Sequence, residues 1–245
     1  MGRAKEIIVK VINGKVANEF VKKTHYSGKV VPNSTLHFGC FLDDKLHGVM
    51  QFGPSINKKG TINLVEGTGW NEFIELNRMA FDDYLPKYSE SRCIAVSIRL
   101  IKKNAPQIKW IISFADGTQC GDGTIYRASG FQLVGVSKNA GICKFNGKVV
   151  HIKRTYDLGL TSSFLKKSDI PKLEKQGHTV KMLKGYQLKY VYLIDKTMKI
   201  TKEILPFSEI DKQGAGMYKG KKITLQERRV INSALSEEVD SNSNS

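Results

Sequence analysis

Residues Ile108 to Phe131 read IKWIISFADGTQCGDGTIYRASGF. The segment opens on Trp110-Ile111-Ile112, too short a run for a helix and rich in β-branched and aromatic side chains, so it is expected to be a buried strand. Polar residues follow at Ser113 to Asp116, then three glycines at 117, 121 and 123. From Thr124 the pattern turns helical, with Ile125, Ala128 and Ser129 on one side and Gly130 as the stop. A strand, a polar glycine-rich turn and a helix is how α/β proteins display side chains at the carboxyl end of a sheet.

Working outward, Ile7 to Ile12 is expected to be a first strand ended by the turn pair Asn13-Gly14, and Val16 to Thr24 a helix with Val16, Phe20 and Val21 on one face. Leu36–Phe41 and Leu46–Phe52 form a hairpin around Asp43-Asp44-Lys45. In Glu72–Phe81, strict alternation puts Glu75, Asn77 and Met79 on one face, opposite Leu76 and Arg78. Ser89–Lys103 is the clearest helix, with Ser89 as its cap and Ile94, Ile98 and Ile101 as its buried stripe. Gln132–Val136, Gly147–Thr155 and Tyr190–Ile194 read as further strands, and Ser168–Gln176 as a short helix with Pro171 in its first turn. The order is strand-rich and mixed. The fold class expected is α/β (α+β): a mixed, mainly antiparallel sheet flanked by helices, resembling the GNAT acyltransferase fold, with a basic carboxyl-terminal extension.

The 245 residues are 40% hydrophobic and 25% charged, the composition of a globular protein. No apolar run approaches the roughly 18 residues of a membrane span. The amino terminus lacks the apolar core of a secretory signal, and Glu6 stands where a myristoylation signal needs Ser or Thr. Cys40, Cys93, Cys120 and Cys143 form no CxxC pair, which argues against a zinc ribbon or disulfide scaffold. The formal charge of +16 favours a polyanionic partner. Residues 1–136 carry a net +6 and residues 137–230 a net +13, while the last fifteen hold three acids and no base. The organisation expected is a catalytic core over 1–136, strands and a basic extension of the same domain over 137–232, and a disordered acidic tail over 233–245.

Several candidate residues follow from position. His25 is either a capping histidine or, with Tyr26 beside it and Asp116 close in space, a metal ligand or general base. Arg78 inside a strand is either ion-paired with Glu75 or Asp116, or a clamp for phosphate or carboxylate. Ser89 and Ser91 are helix caps or cofactor contacts, and Glu90 is a candidate base. Tyr126 is either core or a ring that stacks on an extruded base. Cys120 has no histidine near it in sequence, which speaks against a thiol nucleophile. His37, His47, His151 and His178 are read as structural. Lys144, Lys148, Lys153, Arg154, Lys184, Lys219, Lys221 and Lys222, interleaved with Tyr156, Tyr186 and Tyr218, suit a phosphate-contacting surface; a solvated lysine-rich face is the alternative.

Five segments in order carry a family resemblance: His25-Tyr26-Ser27-Gly28, the hairpin from Leu36 to Gly53, Phe73-Ile74-Glu75-Leu76-Asn77-Arg78, Leu85-Pro86-Lys87-Tyr88-Ser89-Glu90-Ser91, and Ser113-Phe114-Ala115-Asp116 through Gly123-Thr124-Ile125-Tyr126. Together, over roughly residues 20 to 135, the set resembles the Mom family of phage-encoded DNA-modification proteins. The resemblance implies a GNAT-related enzyme that converts adenine in double-stranded DNA to the N6-carbamoylmethyl form, shielding phage DNA from restriction in the cytoplasm of the infected host. It implies activity tied to His25, Tyr26, Arg78, Asp116 and Tyr126, and an Fe(2+) ion, for which His25 and Asp116 are the metal candidates. The donor it implies is acetyl-CoA. Acyl transfer alone cannot place a methylene carbon on nitrogen, so a glycyl unit from aminoacyl-tRNA is an equal alternative, with tRNA then a second partner. The acetyl-CoA pyrophosphate loop normally reads Gln/Arg-x-x-Gly-x-Gly/Ala; here Lys87 to Arg92 has no glycine, and Glu90 adds a negative charge. A homodimer is compatible with these features. Rival readings are a GNAT acetyltransferase acting on a protein or small amine, and a non-enzymatic basic DNA-binding protein.

Overall fold

The computed structural model describes residues 3–139, 141–152, 167–224 and 226–230. The chain divides into two compact units. The first comprises Met1–Phe114, Gly123–Gly135 and Lys189–Pro206; the second comprises Ala115–Asp122, Val136–Leu188 and Phe207–Ser245.

Strand β1 (Ile8–Val11) leads into helix α1 (Gly14–Thr24), whose first turn is closed by Asn13: its side chain accepts the Lys15 N–H at 2.7 Å. Asn13 is thus a helix cap and not only a turn residue. β2 (Leu36–Leu42) and β3 (Lys45–Gly53) form the expected hairpin, and Asp43 and Asp44 both take positive φ, as a two-residue primed turn requires. After the short helix α2 (Lys58–Thr61) come β4 (Phe73–Phe81), α3 (Ser89–Asn104), β5 (Trp110–Asp116), α4 (Thr124–Ala128) and β6 (Gln132–Lys138). Later in the chain lie β7 (Ile142–Phe145), β8 (Lys148–His151), α5 (Ile170–Lys175), β9 (Val180–Met182), β10 (Tyr186–Leu193) and α6 (Ser208–Lys212).

The large sheet runs in the order β1-β2-β3-β4-β5-β10-β6. Its first four strands pair antiparallel and β4 pairs parallel with β5, giving the mixed, mainly antiparallel sheet flanked by helices that the sequence led us to expect. In the first unit one core joins Phe73, Trp110, Ile112, Val134 and Val191 with Leu64 and Val65. Trp110 stacks on Phe73 at 4.4 Å and donates its indole N–H to Thr68. A second cluster seats Ala17 and Val21 of α1 on Val49 and Ala80, so α1 covers that face of β3 and β4. Ile94, Ile98 and Ile101 of α3 are buried as expected. Ser89, however, does not cap. Tyr88, in the left-handed region at φ 71°, is the cap residue, and the Ser89 hydroxyl turns back to the Pro86 carbonyl at 2.5 Å.

The face assignment in β4 needs correction. Arg78 pairs with Gln51 and Leu76 with Phe52, so Asn77 is an extra residue in the ladder. A bulge resets the side-chain phase beyond it. Glu75 pairs with Gly53, two residues along β3 from Gln51, so Glu75, Arg78 and Ala80 share the α1 face while Leu76 and Met79 share the other. The warning sign was in the sequence: strict alternation put the Arg78 charge beside the apolar Leu76.

In the second unit β8-β7-β9 form a small antiparallel sheet whose core is Cys143, Phe145 and Leu173. The loop after β5 is organised by Asp116, whose carboxylate accepts the Thr118 N–H at 2.9 Å and the Gln119 amide at 3.1 Å. Asp122, with no exposed surface, takes a two-pronged grip from Arg228 at 3.0 and 2.6 Å; Arg228 also donates to the Met217 carbonyl and lies 4.8 Å from the Tyr218 ring. Nothing in the sequence separated Arg228 from the exposed basic residues around it. The 233–245 tail lies outside the described residues.

Candidate active site

The polar cluster of the first unit sits on the α1 face of β4, where the bulge gathers it. Arg78 is half-buried and donates from Nε to the Lys29 carbonyl and from Nη1 to the Asn77 carbonyl, both at 3.1 Å. The chain beyond α1 is thereby held against β4. His25 ends α1, its backbone N–H bonded to the Val21 carbonyl. Its Nδ1 accepts the Ser27 backbone N–H at 3.1 Å and lies 2.8 Å from the Ser27 hydroxyl. Burial, reinforced by the Arg78 guanidinium, pulls His25 down to about pKa 4. At neutral pH the ring is therefore uncharged, with its proton on Nε2, which makes it a hydrogen-bond donor. Tyr26 is half exposed, its ring 4.3 Å from that of His25.

Glu75, weighed in sequence only as an ion-pair partner for Arg78, belongs to this cluster. Burial pushes its carboxyl up, opposed by the Ser55 hydroxyl, the Asn77 amide, the Arg78 charge and the Ile56 backbone N–H. The strand thus holds an acceptor whose proton affinity is raised, a guanidinium, and a neutral histidine donor in one neighbourhood. That set can accept a proton from a substrate amine and stabilise negative charge on a substrate oxygen.

In this arrangement the His25 ring is set up as a hydrogen-bond donor through Nε2. Nδ1 is engaged by the Ser27 N–H, and Nε2 carries the proton. Among the described residues no three His, Cys, Asp or Glu side chains come together as a metal would need. Asp116 belongs to the second unit, where its carboxylate shapes the loop. No step is derived through an iron ion.

Of the two readings weighed for Tyr126, the surroundings are those of a packed ring: it is buried against Phe131 at 5.5 Å and Tyr190 at 5.4 Å in an aromatic cluster of the first unit. The Cys120 thiol is pushed up by burial and by Asp116, the opposite of a nucleophile's need. At α3, the Ser91 hydroxyl bonds the Tyr88 carbonyl at 3.1 Å and Glu90 sits in the first turn; both serine hydroxyls close the turn. His37 is buried beside Gln51, and His47 pairs with Asp82 at 2.8 Å, stacked on Tyr84.

In the second unit Lys144, Lys148, Lys184, Lys219, Lys221 and Lys222 are all exposed, while Lys153 and Arg154 lie outside the described residues. Lys144 of β7 stands directly across from Lys181 of β9, a like-charge pair that a sheet tolerates poorly without an anion nearby. Lys219 and Lys222 lie over the rings of Tyr218 and Tyr186 at 5.8 and 5.7 Å. No helix among the described residues is long and apolar enough to cross a membrane.

Fold and cluster define a mixed α/β protein that presents titratable groups on one face of a bulged central strand. The chain belongs to the Mom protein family, whose model matches residues 6–209. It is similar to the methylcarbamoylase Mom of Escherichia phage Mu, with 38% identity over 133 residues, 54% of this chain and 55% of that protein. The chain thus spans about half the length of the curated relative it matches. Among solved structures it is similar to a Bacillus subtilis acetyltransferase in complex with CoA (TM-score 0.41, 9% identity, 76% of this chain and 98% of that one). It is also similar to a spermidine/spermine N-acetyltransferase from Vibrio cholerae in complex with manganese ions (TM-score 0.45, 8% identity, 80% and 97%).

Proposed function

We propose that this protein is a phage DNA-modification transferase that places a carbamoylmethyl group on the exocyclic amine of adenine in double-stranded DNA. The observation that carries this reading is the family match over residues 6–209, which spans the whole polar cluster on β4. In this reading Glu75 accepts a hydrogen bond from the exocyclic amine of adenine and orients its nitrogen toward the incoming unit. Arg78 and the His25 Nε2–H hold the oxygen of the transferred unit. The exposed lysines of the second unit, with Lys144 and Lys181 side by side, take the phosphate backbone. The target base must leave the stack to reach such a cluster. The two-carbon unit comes from acetyl-CoA or from an aminoacyl-tRNA, which labelling distinguishes.

The test is mass spectrometry of nucleosides from plasmid grown in cells expressing the protein. The expected result is a deoxyadenosine derivative heavier by the carbamoylmethyl group, with the plasmid resisting restriction enzymes that cut at adenine-containing sites. Only unmodified deoxyadenosine, with folded protein present, would overturn it. Isotopic acetate and glycine fed separately identify the donor.

A further inference from the structure

Trp70 stands in the connection between β3 and β4 and is 52% exposed. The chain that presents it is braced from within. Asn57 accepts the Gly60 N–H at the start of α2, and the Glu72 carboxylate accepts the Gly69 N–H at 2.7 Å. The Thr68 hydroxyl donates to the Val65 carbonyl and accepts the indole N–H of the buried Trp110. Val65 bridges to Ile200, and the Glu66 N–H bonds the Lys199 carbonyl, so a second segment of the first unit backs the connection. A large amphipathic ring held out on so fixed a base is suited to an interface.

The surroundings of the ring indicate which interface. The Lys58 ammonium lies 4.5 Å from the Trp70 ring centroid and donates to the Asn71 side-chain oxygen at 3.3 Å. Lys59, Lys199 and Lys202 are exposed on the connection and on the segment bridged to it, against the exposed acids Glu66 and Glu203. Ile56, two positions before Lys58, is 76% exposed. A partner protein can use an indole as an anchor, but an ammonium on the ring within a positive surround suits a polyanion that also offers flat rings. We infer that Trp70 is a DNA-contacting wedge, its indole stacking on a base laid open where the target adenine leaves the duplex, with Lys58 at the neighbouring phosphate. Trp70 precedes Glu75 by five residues, a chain span of at most about 18 Å, so the ring and the β4 cluster meet one stretch of duplex. Duplex DNA as the partner rests on the function proposed above; the residue that wedges it is the new element.

The chain has two tryptophans and Trp110 is fully buried, so quenching of indole emission reads Trp70. The full chain is titrated with a short mixed-sequence duplex, and binding is followed in parallel by anisotropy of a dye on the DNA. Binding should quench the emission of the unsubstituted protein, and Trp70→Phe should keep the Trp110 emission and lose the quench. Trp70→Ala should bind the duplex about tenfold more weakly, the loss of one stacked base. Because the Trp110 indole is bonded to Thr68 of the same connection, unchanged Trp110 emission shows that the variants hold their fold. A quench that survives in Trp70→Phe, duplex binding without a quench, or a quench by tRNA alone would overturn the wedge. In each of those cases modified deoxyadenosine from expressing cells would still uphold the proposed function. Absence of both duplex binding and modified deoxyadenosine would overturn the two together.

Discussion

Glu75 and Arg78 lie on the same face of β4 although they are three residues apart, because Asn77 between them is bulged out of the ladder. In an unbroken strand, three residues would put them on opposite faces. The bulge therefore brings a carboxyl and a guanidinium to the side where α1 ends and His25 stands. A one-residue irregularity makes the cluster.

Arg78→Lys should leave the fold intact and lose function. The lysine cannot reproduce the fork that reaches the Lys29 and Asn77 carbonyls. We expect a stability loss of about 2 kcal/mol in urea and at least a tenfold drop in modified deoxyadenosine. Full modification by a stable Arg78→Lys protein would show that the fork is not required.

His25 gives a pH dependence with a definite sign. Its folded pKa of about 4 lies below the ordinary 6.5, so the fold favours the neutral ring. The stabilisation is fully present above pH 6.5 and is lost as pH falls toward 4, by at most roughly 3 kcal/mol. Denaturant melts between pH 7 and 4 should steepen this loss relative to a His25→Gln variant, whose curve is flatter. Identical curves for the two proteins would mean that His25 titrates normally.

Tyr126 is expected to matter for packing. Tyr126→Phe keeps the ring against Phe131 and Tyr190, whereas Tyr126→Ala opens a cavity worth about 3–5 kcal/mol. Thermal melts check the stability. Wild-type stability in Tyr126→Ala would return the ring to a ligand-facing role.

The buried pair of Asp122 and Arg228 should behave asymmetrically. Arg228→Leu strands a fully buried carboxylate and should cost about 3–5 kcal/mol, while the double change Asp122→Leu/Arg228→Leu should recover much of that. Chemical denaturation of the three proteins measures the difference. Equal loss in the single and double variants would remove the ion pair from the account.

Replacing Lys219, Lys221 and Lys222 with glutamine should weaken DNA binding for every sequence alike. Removing one lysine–phosphate pair lowers the log–log salt slope by about 0.9. Anisotropy titrations at several salt concentrations read the slope directly. An unchanged slope would leave these lysines as a solvated face.

Much of this protein is written locally. The apolar run at Trp110–Ile112, the α3 stripe of Ile94, Ile98 and Ile101 and the Asp43-Asp44 hairpin follow from residue spacing alone, because each depends on neighbours within a few positions. The ordered motifs from His25 to Tyr126 were enough to indicate the family that the residue 6–209 match established. What spacing could not supply was anything fixed by a partner distant in sequence. The phase of β4 depends on its register against β3, so alternation misplaced Arg78 until Gln51 and Gly53 were seen across from it. The roles weighed for His25 turned on Ser27 and Arg78, which determine where its proton sits and how far its pKa falls. Tyr126 became a packing residue through Phe131 and Tyr190, and Arg228 an interior one through Asp122, 106 positions away. Local periodicity decides which element a residue joins. Burial, charge state and the face it serves are decided by what the rest of the chain brings to it.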